Sequence, residues 1–379
     1  MLAPGLARLP LSRRDWAIQA LFLGLLALVA YSAAATGIAN MRAHHIPVDF
    51  SFWNEPAGFD IDQHLIAYSA ASTYGRAFFV GLLNTLLVAA LGIVLATLLG
   101  FALGAARLSQ NPVAAALAAV YVEITRNVPL LLQLLFWYNV VLEALPRPQR
   151  SFALPGGIFL NDRGLYFPSP VFAPAAIWVF AALGSGVCLG LALWPSAKTR
   201  GARLFALAPA LAFPLVAFFA AGEPIAFVAP VLSGFNLAGG MKLLPEFIAL
   251  LFGLVLYTGA FIAEIVRAGM QSVPKGQREA AAALGLHAAQ VRKYVIVPQA
   301  LRLIVPPLTS QYLNLFKNSS LAVLIGYPDL VQVFAGTVLN QTGAAVPVIA
   351  TTMAVYLLVS LLGSAAMNLY NRRIAGVPH

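Results

Sequence analysis

Long, almost uncharged apolar runs limit this chain more than any other feature. In a lipid interior every backbone N–H and C=O must find a partner within the protein, so a run of about 20 apolar residues crosses as a helix. Such runs occupy residues 16–36, 76–105, 113–140, 171–194, 203–221, 245–268, 300–317 and 345–369, which predicts an all-α polytopic membrane protein of eight spans. Only 9% of the 379 residues are charged, against about 25% in soluble domains, which excludes a soluble class. The +10 net charge is of the kind that membrane proteins collect in cytoplasmic loops and is no nucleic-acid signal. The first run exceeds the apolar core of a cleaved signal peptide, about 7–15 residues, and reads as a retained span.

Charge asymmetry sets the orientation. With both termini cytoplasmic, inside segments hold 15 Lys and Arg residues and outside segments seven, with Arg126 inside a span. The outer segment 37–75 also carries Asp49, Glu55, Asp60 and Asp62, and residues 60–74 read as a helix lying along the interface. Segments 37–75 and 141–170 are rich in Pro, Gly and aromatics and can cap the outer face, with or without short amphipathic helices. Leu321 to Val338, interrupted by Gly326-Tyr327-Pro328-Asp329, reads as a re-entrant or interfacial segment. The single cysteine, Cys188, reads as a buried thiol, and no cysteine–histidine metal spacing occurs.

One polar stretch interrupts this pattern. Arg267 to Arg302 carries six of the 23 basic residues between two spans, and the orientation count places it in the cytoplasm. Ser272-Val273-Pro274 stops the preceding span, because proline cannot donate within a helix. Gln277 to Leu284 is a strong helix former, and Gly285 reads as the glycine that ends it. A second short helix from Ala288 to Ile296 is expected to halt at Pro298, where the next span begins.

Glu279-Ala280-Ala281, then Gly285, then Val295, Val297 and Pro298, resemble the EAA motif of ABC importer permeases. Valine at the usual Ile and Leu positions is a mild departure. Ala263-Glu264-Ile265-Val266-Arg267-Ala268-Gly269, Glu123-Ile124-Thr125-Arg126-Asn127-Val128-Pro129-Leu130 and Gly81-Leu82-Leu83-Asn84-Thr85-Leu86 resemble the polar amino-acid uptake branch. Lys317-Asn318-Ser319-Ser320-Leu321 and Gly326-Tyr327-Pro328-Asp329-Leu330 resemble the general L-amino-acid permeases within it, which are also longer than the usual five-span members. The likeness covers residues 76–140 and 245–373. It implies a type I ABC importer-like core in two parts, 76–140 and 245–379, with an EAA coupling loop at 272–298. Residues 1–75 supply an N-terminal span and periplasmic segment, and 141–244 an insertion of peripheral spans and loops. Glu279, Ala280, Ala281 and Gly285 would form the surface of a coupling helix seated in a groove of an ATPase. No GxxxxGK[ST] phosphate loop occurs, so ATP and Mg are expected on that separate subunit, and this chain binds no cofactor and is no enzyme. The resemblance further implies a second, related permease subunit, a periplasmic amino-acid-binding protein, L-amino acid substrates and a bacterial inner membrane.

Ionisable groups inside spans are costly and are either paired or functional. Glu264 can pair with Arg267 at i+3, or face the pathway and hold a substrate ammonium with Phe261 beside it. Glu123 and Arg126 can pair with each other or line the pathway, and Pro129 would kink the helix and free backbone groups. Asn84 and Thr85 can bond a neighbouring helix or the substrate. Gly100 and Gly104 form a GxxxG pair, which predicts close helix packing. Lys317 can snorkel outward, or hold a substrate carboxylate with Asn318 and freed amides. The rival reading, an ion-coupled secondary amino-acid transporter, would need acid relays and inverted repeats that the sequence does not display. A membrane enzyme would need His, Asp or Ser clustered at catalytic spacing, and the five histidines do not converge with carboxylates in a span.

Overall fold

The structure, a computed structural model, describes residues 13–43, 47–193, 200–222 and 224–375. Arg8 and Lys198, two of the basic residues counted as inside, and His44 and His45, two of the five histidines, lie outside the described residues.

The chain begins with α1 (Arg13–Ala43), whose apolar side chains are exposed along its length. A 3-10 turn (Ser51–Asn54) and a coil lead to α2 (Tyr74–Arg107), which starts where the Thr73 hydroxyl accepts the Arg76 N–H at 3.2 Å. The expected interfacial helix at 60–74 is absent. Ile61 and Tyr68 of this segment are instead buried in one cluster with Phe52 of the 3-10 turn, which meets Tyr74 and Phe334 at ring-centre distances of 6.0 and 6.4 Å. The segment thus plugs one end of the helix bundle with aromatic packing.

Residues 113–140 are not one helix. α3 (Pro112–Asn127) and α4 (Leu130–Ala144) meet at 107°. Val128, the residue before Pro129, is forced into the extended region, which is why the chain turns so sharply. The freed carbonyls do not stay open. Gln133 Nε2 donates to Thr125 O at 2.8 Å and to Val128 O at 2.9 Å.

The segment 141–170 holds strands where short helices were possible. β1 (Phe152–Leu154), β2 (Ile158–Asn161) and β3 (Gly164–Phe167) form an antiparallel sheet, followed by β4 (Ser169–Phe172). Two apolar helices, α5 (Ala176–Leu193) and α6 (Arg200–Ala220), pack on one another. The strands β5 (Ile225–Val228), β6 (Val231–Ser233), β7 (Asn236–Ala238) and β8 (Met241–Leu243) return the chain. β5 pairs with β4 and β8 with β3. Cys188 lies exposed on α5, contrary to the buried reading, because the face of this helix that carries it has no protein neighbour among the described residues.

The second half begins with α7 (Pro245–Gln271), then α8 (Lys275–Ala283) and the single turn α9 (Ala288–Gln290). A π-helical stretch (Val291–Ile296) runs straight into α10 (Val297–Asn318). The expected halt at Pro298 therefore does not occur. The proline falls in the first turn of α10, and the wider π turn before it absorbs the missing donor. A 3-10 stretch (Ser319–Ile325), the Gly326–Asp329 loop, a second π stretch (Val331–Val338), α11 (Leu339–Thr342) and α12 (Ala345–Ala375) complete the chain.

Among the described residues, α1, α2, α7 and α12 are long and apolar enough to cross a membrane, and the bent α3–α4 pair would make a fifth. α5 and α6 have shorter apolar stretches, and α10 carries Arg302, Lys317 and two internal prolines. The central contact is α2 on α7. A Cβ at Gly104 would lie 2.7 Å from Val266 Cγ1 and 3.0 Å from Ala263 O, and one at Gly100 would collide with Ile262. The GxxxG pair thus lets the two backbones meet as expected. On the far side of α7, Leu134 of α4 packs against Gly253.

Candidate functional site

Five charged side chains from three helices converge where α2 ends. Arg107, the last residue of α2, donates from Nη1 to Glu264 Oε2 of α7. Arg267, one turn along α7, donates from Nε to Oε2 at 3.1 Å and from Nη2 to Oε1. Arg126 of α3 brings Nη1 to 3.9 Å from Oε2. Glu123 lies 4.0 Å from Arg107 Nη2. The side-chain exposures are 11% for Arg107, 24% for Glu264 and 60% for Glu123, so Arg107 is the most shielded member and Glu264 the better shielded of the two carboxylates.

The expected Glu123–Arg126 pair does not form. Each turns to another helix: Glu123 to Arg107, and Arg126 to Glu264. Arg126 also lies over the Phe261 ring, 5.2 Å from its centre, and its buried Nε has no hydrogen-bond partner among the described residues. Glu123, Arg126, Phe261 and Glu264 therefore form one group, together with Arg107, which the sequence analysis did not single out. Its signal was its place at the very end of an apolar run, at the depth of Glu264.

Asn84 and Thr85 form a separate group, and both are buried. Asn84 Nδ2 donates to Gln63 O at 2.7 Å and to Pro328 O at 2.9 Å. Thr85 Oγ1 accepts the Leu330 N–H at 3.0 Å. The Tyr327 hydroxyl reaches Asn84 O at 3.3 Å, and Tyr356 donates to Asp329 at 3.3 Å. These bonds fasten the Gly326–Asp329 loop and the adjoining Leu330 to α2, and tie Asp329 to α12. The buried Tyr327 and Asp329 and the half-buried Gln63 and Tyr356 are not legible in the sequence as a set. Lys317, exposed, and Asn318 lie at the end of α10, outside both groups.

The polar stretch projects from the same end of the bundle as the charged group. α8 ends on Gly285 at φ +81, with Gly285 N–H donating to Ala282 O at 2.9 Å and Leu286 N–H to Ala281 O at 3.3 Å. This is the paired closing pattern that requires a left-handed residue after the helix. Glu279, Ala280 and Gly285 are exposed, and Leu284 is 81% exposed. Ala281 departs from its assigned place in the docking surface: it is 4% exposed and faces the chain itself. One bond joins α8 to the end of α7, and another, within α7, joins that end to the charged group. Arg267 Nη1 donates to Gln271 Oε1 at 2.5 Å, and Arg278 Nη2 to Met270 O at 3.2 Å.

The profile of the family described as binding-protein-dependent transport system inner membrane component matches residues 92–376. The putative amino-acid ABC transporter permease protein YhdX of Escherichia coli is 49% identical over 371 residues, covering 96% of this chain and 94% of that protein. The general L-amino acid transport system permease protein AapQ of Rhizobium johnstonii is 47% identical over 363 residues, covering 94% and 90%. The glutamate/glutamine/aspartate/asparagine transport system permease protein BztB of Rhodobacter capsulatus is 37% identical, covering 88% and 87%. A crystal structure of an amino acid ABC transporter with histidines aligns with 79% of this chain and 95% of that chain, at 22% identity and a TM-score of 0.48. A match spanning most of the chain, across the α2–α7 contact, the charged group and the glycine-closed stretch alike, establishes that the chain belongs to the binding-protein-dependent transport system inner membrane component family.

Proposed function

We propose that this chain is a permease subunit of an ATP-driven importer that moves L-amino acids across the inner membrane. The exposed stretch from α8 to α9 carries the reading, because it is a solvent-facing helix pair inserted between apolar helices of a chain in a binding-protein-dependent family. In this reading the eight spans place both termini and the stretch in the cytoplasm. Glu279, Ala280 and Gly285, with Leu284, seat in a separate ATPase, which holds the ATP and Mg. A second, related permease completes the pathway, and a periplasmic binding protein delivers the amino acid to the end capped by residues 47–73.

The arrangement suggests how the ATPase is heard. A shift of α8 reaches the end of α7 through Arg278 and Met270, and Glu264 through Gln271 and Arg267. Glu264 lies seven residues before the end of α7, about 10 Å along a helix. Its arginines reach α2 and α3, so the three helices respond together. With three guanidiniums around it, Glu264 has little charge left for a substrate ammonium. Arg126, with its long ion contact and open Nε, is the group with capacity to spare for a substrate carboxylate.

Leu284→Glu and Glu279→Lys test the coupling surface. Both are exposed and should leave insertion intact, while reducing amino-acid uptake and recovery of the ATPase with the permease by at least about tenfold, the loss of one or two interface anchors. Normal uptake with the ATPase unbound would refute the reading.

A further inference from the structure

Two contiguous cavities open between the ends of α2, α7 and α10, beside the glycine-closed stretch. The smaller, of about 250 Å³, is walled by apolar side chains, among them Phe101, Val266, Leu301 and Ile304. The larger, of about 870 Å³, shares Ala105, Leu108, Met270 and Arg292 with it and extends to Ser109, Gln110 and Arg278. Arg292 therefore stands where the apolar slot meets the larger cavity, whose lining also holds Arg278. It is exposed, and among the described residues neither it nor Arg278 forms a salt bridge.

An apolar cavity does not hold water, and its lining atoms forfeit contacts while it stays empty. Hydrocarbon satisfies them. The larger cavity next to it is also walled mainly by apolar side chains, but Arg278 and Arg292 in its lining have no carboxylate partner among the described residues and call for an anion. An apolar slot joined to a basic one, at the end of spans, matches a phospholipid whose acyl chain and headgroup part at that level. We infer that these cavities bind one anionic phospholipid of the cytoplasmic leaflet, its acyl chain beside Leu301 and Ile304 and its phosphate on Arg292 and Arg278. The inference rests on the orientation given under the proposed function. The lipid would wedge α2, α7 and α10 where the stretch enters the bundle, and so set the resting position of α8.

The test uses the assembled transporter in vesicles of phosphatidylcholine alone, or of phosphatidylcholine with phosphatidylglycerol. Phosphatidylglycerol retained through purification is measured by mass spectrometry, beside ATP-driven uptake. The wild type should retain the anionic lipid and transport faster in its presence. Arg292→Gln should lower retention about fivefold, the contribution of one basic side chain near an anionic headgroup, and Arg292→Lys should restore most of it. Leu301→Trp, which fills the slot, should abolish retention with Arg292 in place. In phosphatidylcholine alone Arg292→Gln should transport as the wild type does. Retention unaffected by either Arg292→Gln or Leu301→Trp would overturn the site. Loss of the ATPase from the Arg292→Gln complex would also overturn it, since Arg292 would then meet protein. If no complex transports amino acids, the permease reading fails, while the retention measurements still decide the lipid site.

Discussion

Glu264 draws its partners from three helices, and they are unequal. Arg107 is nearly buried and bonds it directly, whereas Glu123 is largely solvated and touches only Arg107. Removing one member of a shielded ion pair strands the other charge. Arg107→Gln should therefore cost on the order of 3 kcal/mol, less whatever water reaching Glu264 screens. Glu123→Gln should cost under about 1 kcal/mol, as for an exposed pair. A double-mutant cycle on detergent-solubilised protein, read by thermal unfolding, separates the two. Arg107 with Glu264 should couple more strongly than Arg107 with Glu123, and equal coupling would remove Glu264 from the centre of the group. A second residue-scale prediction concerns Thr85. Its hydroxyl accepts the buried Leu330 N–H, so Thr85→Val leaves that donor unpaired at a cost of about 1–3 kcal/mol. The pattern of amino acids competing for uptake should not change. If selectivity shifts while stability holds, Thr85 belongs to the substrate rather than to the loop.

Between elements, spacing in the sequence was a good guide where local rules act alone. Gly100 and Gly104 on one face announced the close approach of α2, and Gly285 announced the end of α8. Pro129 announced a break, but not that it reaches 107°, nor that Gln133 would take up the freed carbonyls. Partner choice was less legible. Glu123 and Arg126 stand at helical spacing, yet each finds a better-placed charge on another helix, because sequence spacing says nothing about which helices lie alongside. The strands of the insertion escaped notice for a related reason: β3 pairs with β8 across more than seventy residues, and each strand is only three or four residues long. Packing at Gly104 gives the element-scale prediction. Gly104→Leu must push Val266 and the Ala263 carbonyl aside and should cost about 1–3 kcal/mol or more. Gly184→Leu on α5, where a Cβ meets nothing within 4 Å, should cost little. The measurement is the unfolding midpoint of each variant against the wild type, and a similar loss in both would mean that α2 and α7 do not meet as described.

At the scale of the molecule, the α5–α6 hairpin is set apart from the rest of the fold. Its helices pack chiefly on each other, and it leaves and rejoins the chain between two strands that are already neighbours. Phe172 of β4 pairs with Ile225 of β5, and Ala173 N–H donates to Pro224 O at 2.9 Å. The two ends are thus as close as those of a β-hairpin, for which a two-residue turn such as Asn-Gly suffices. The charged group, the Gly326–Asp329 loop and the glycine-closed stretch all lie on other elements. Excising residues 174–223 and joining the ends through Asn-Gly removes a hairpin of two antiparallel helices, so the direction of every later helix through the membrane is kept. The shortened chain should insert and assemble with its ATPase, and its uptake should stay within a few-fold of the full chain, as for replacements at exposed connections. Quantitative recovery of the complex from membranes, followed by uptake in vesicles, decides the matter. Failure to insert would mean that the hairpin is part of the folding core. Normal assembly without uptake would mean instead that it touches the pathway or the incoming binding protein.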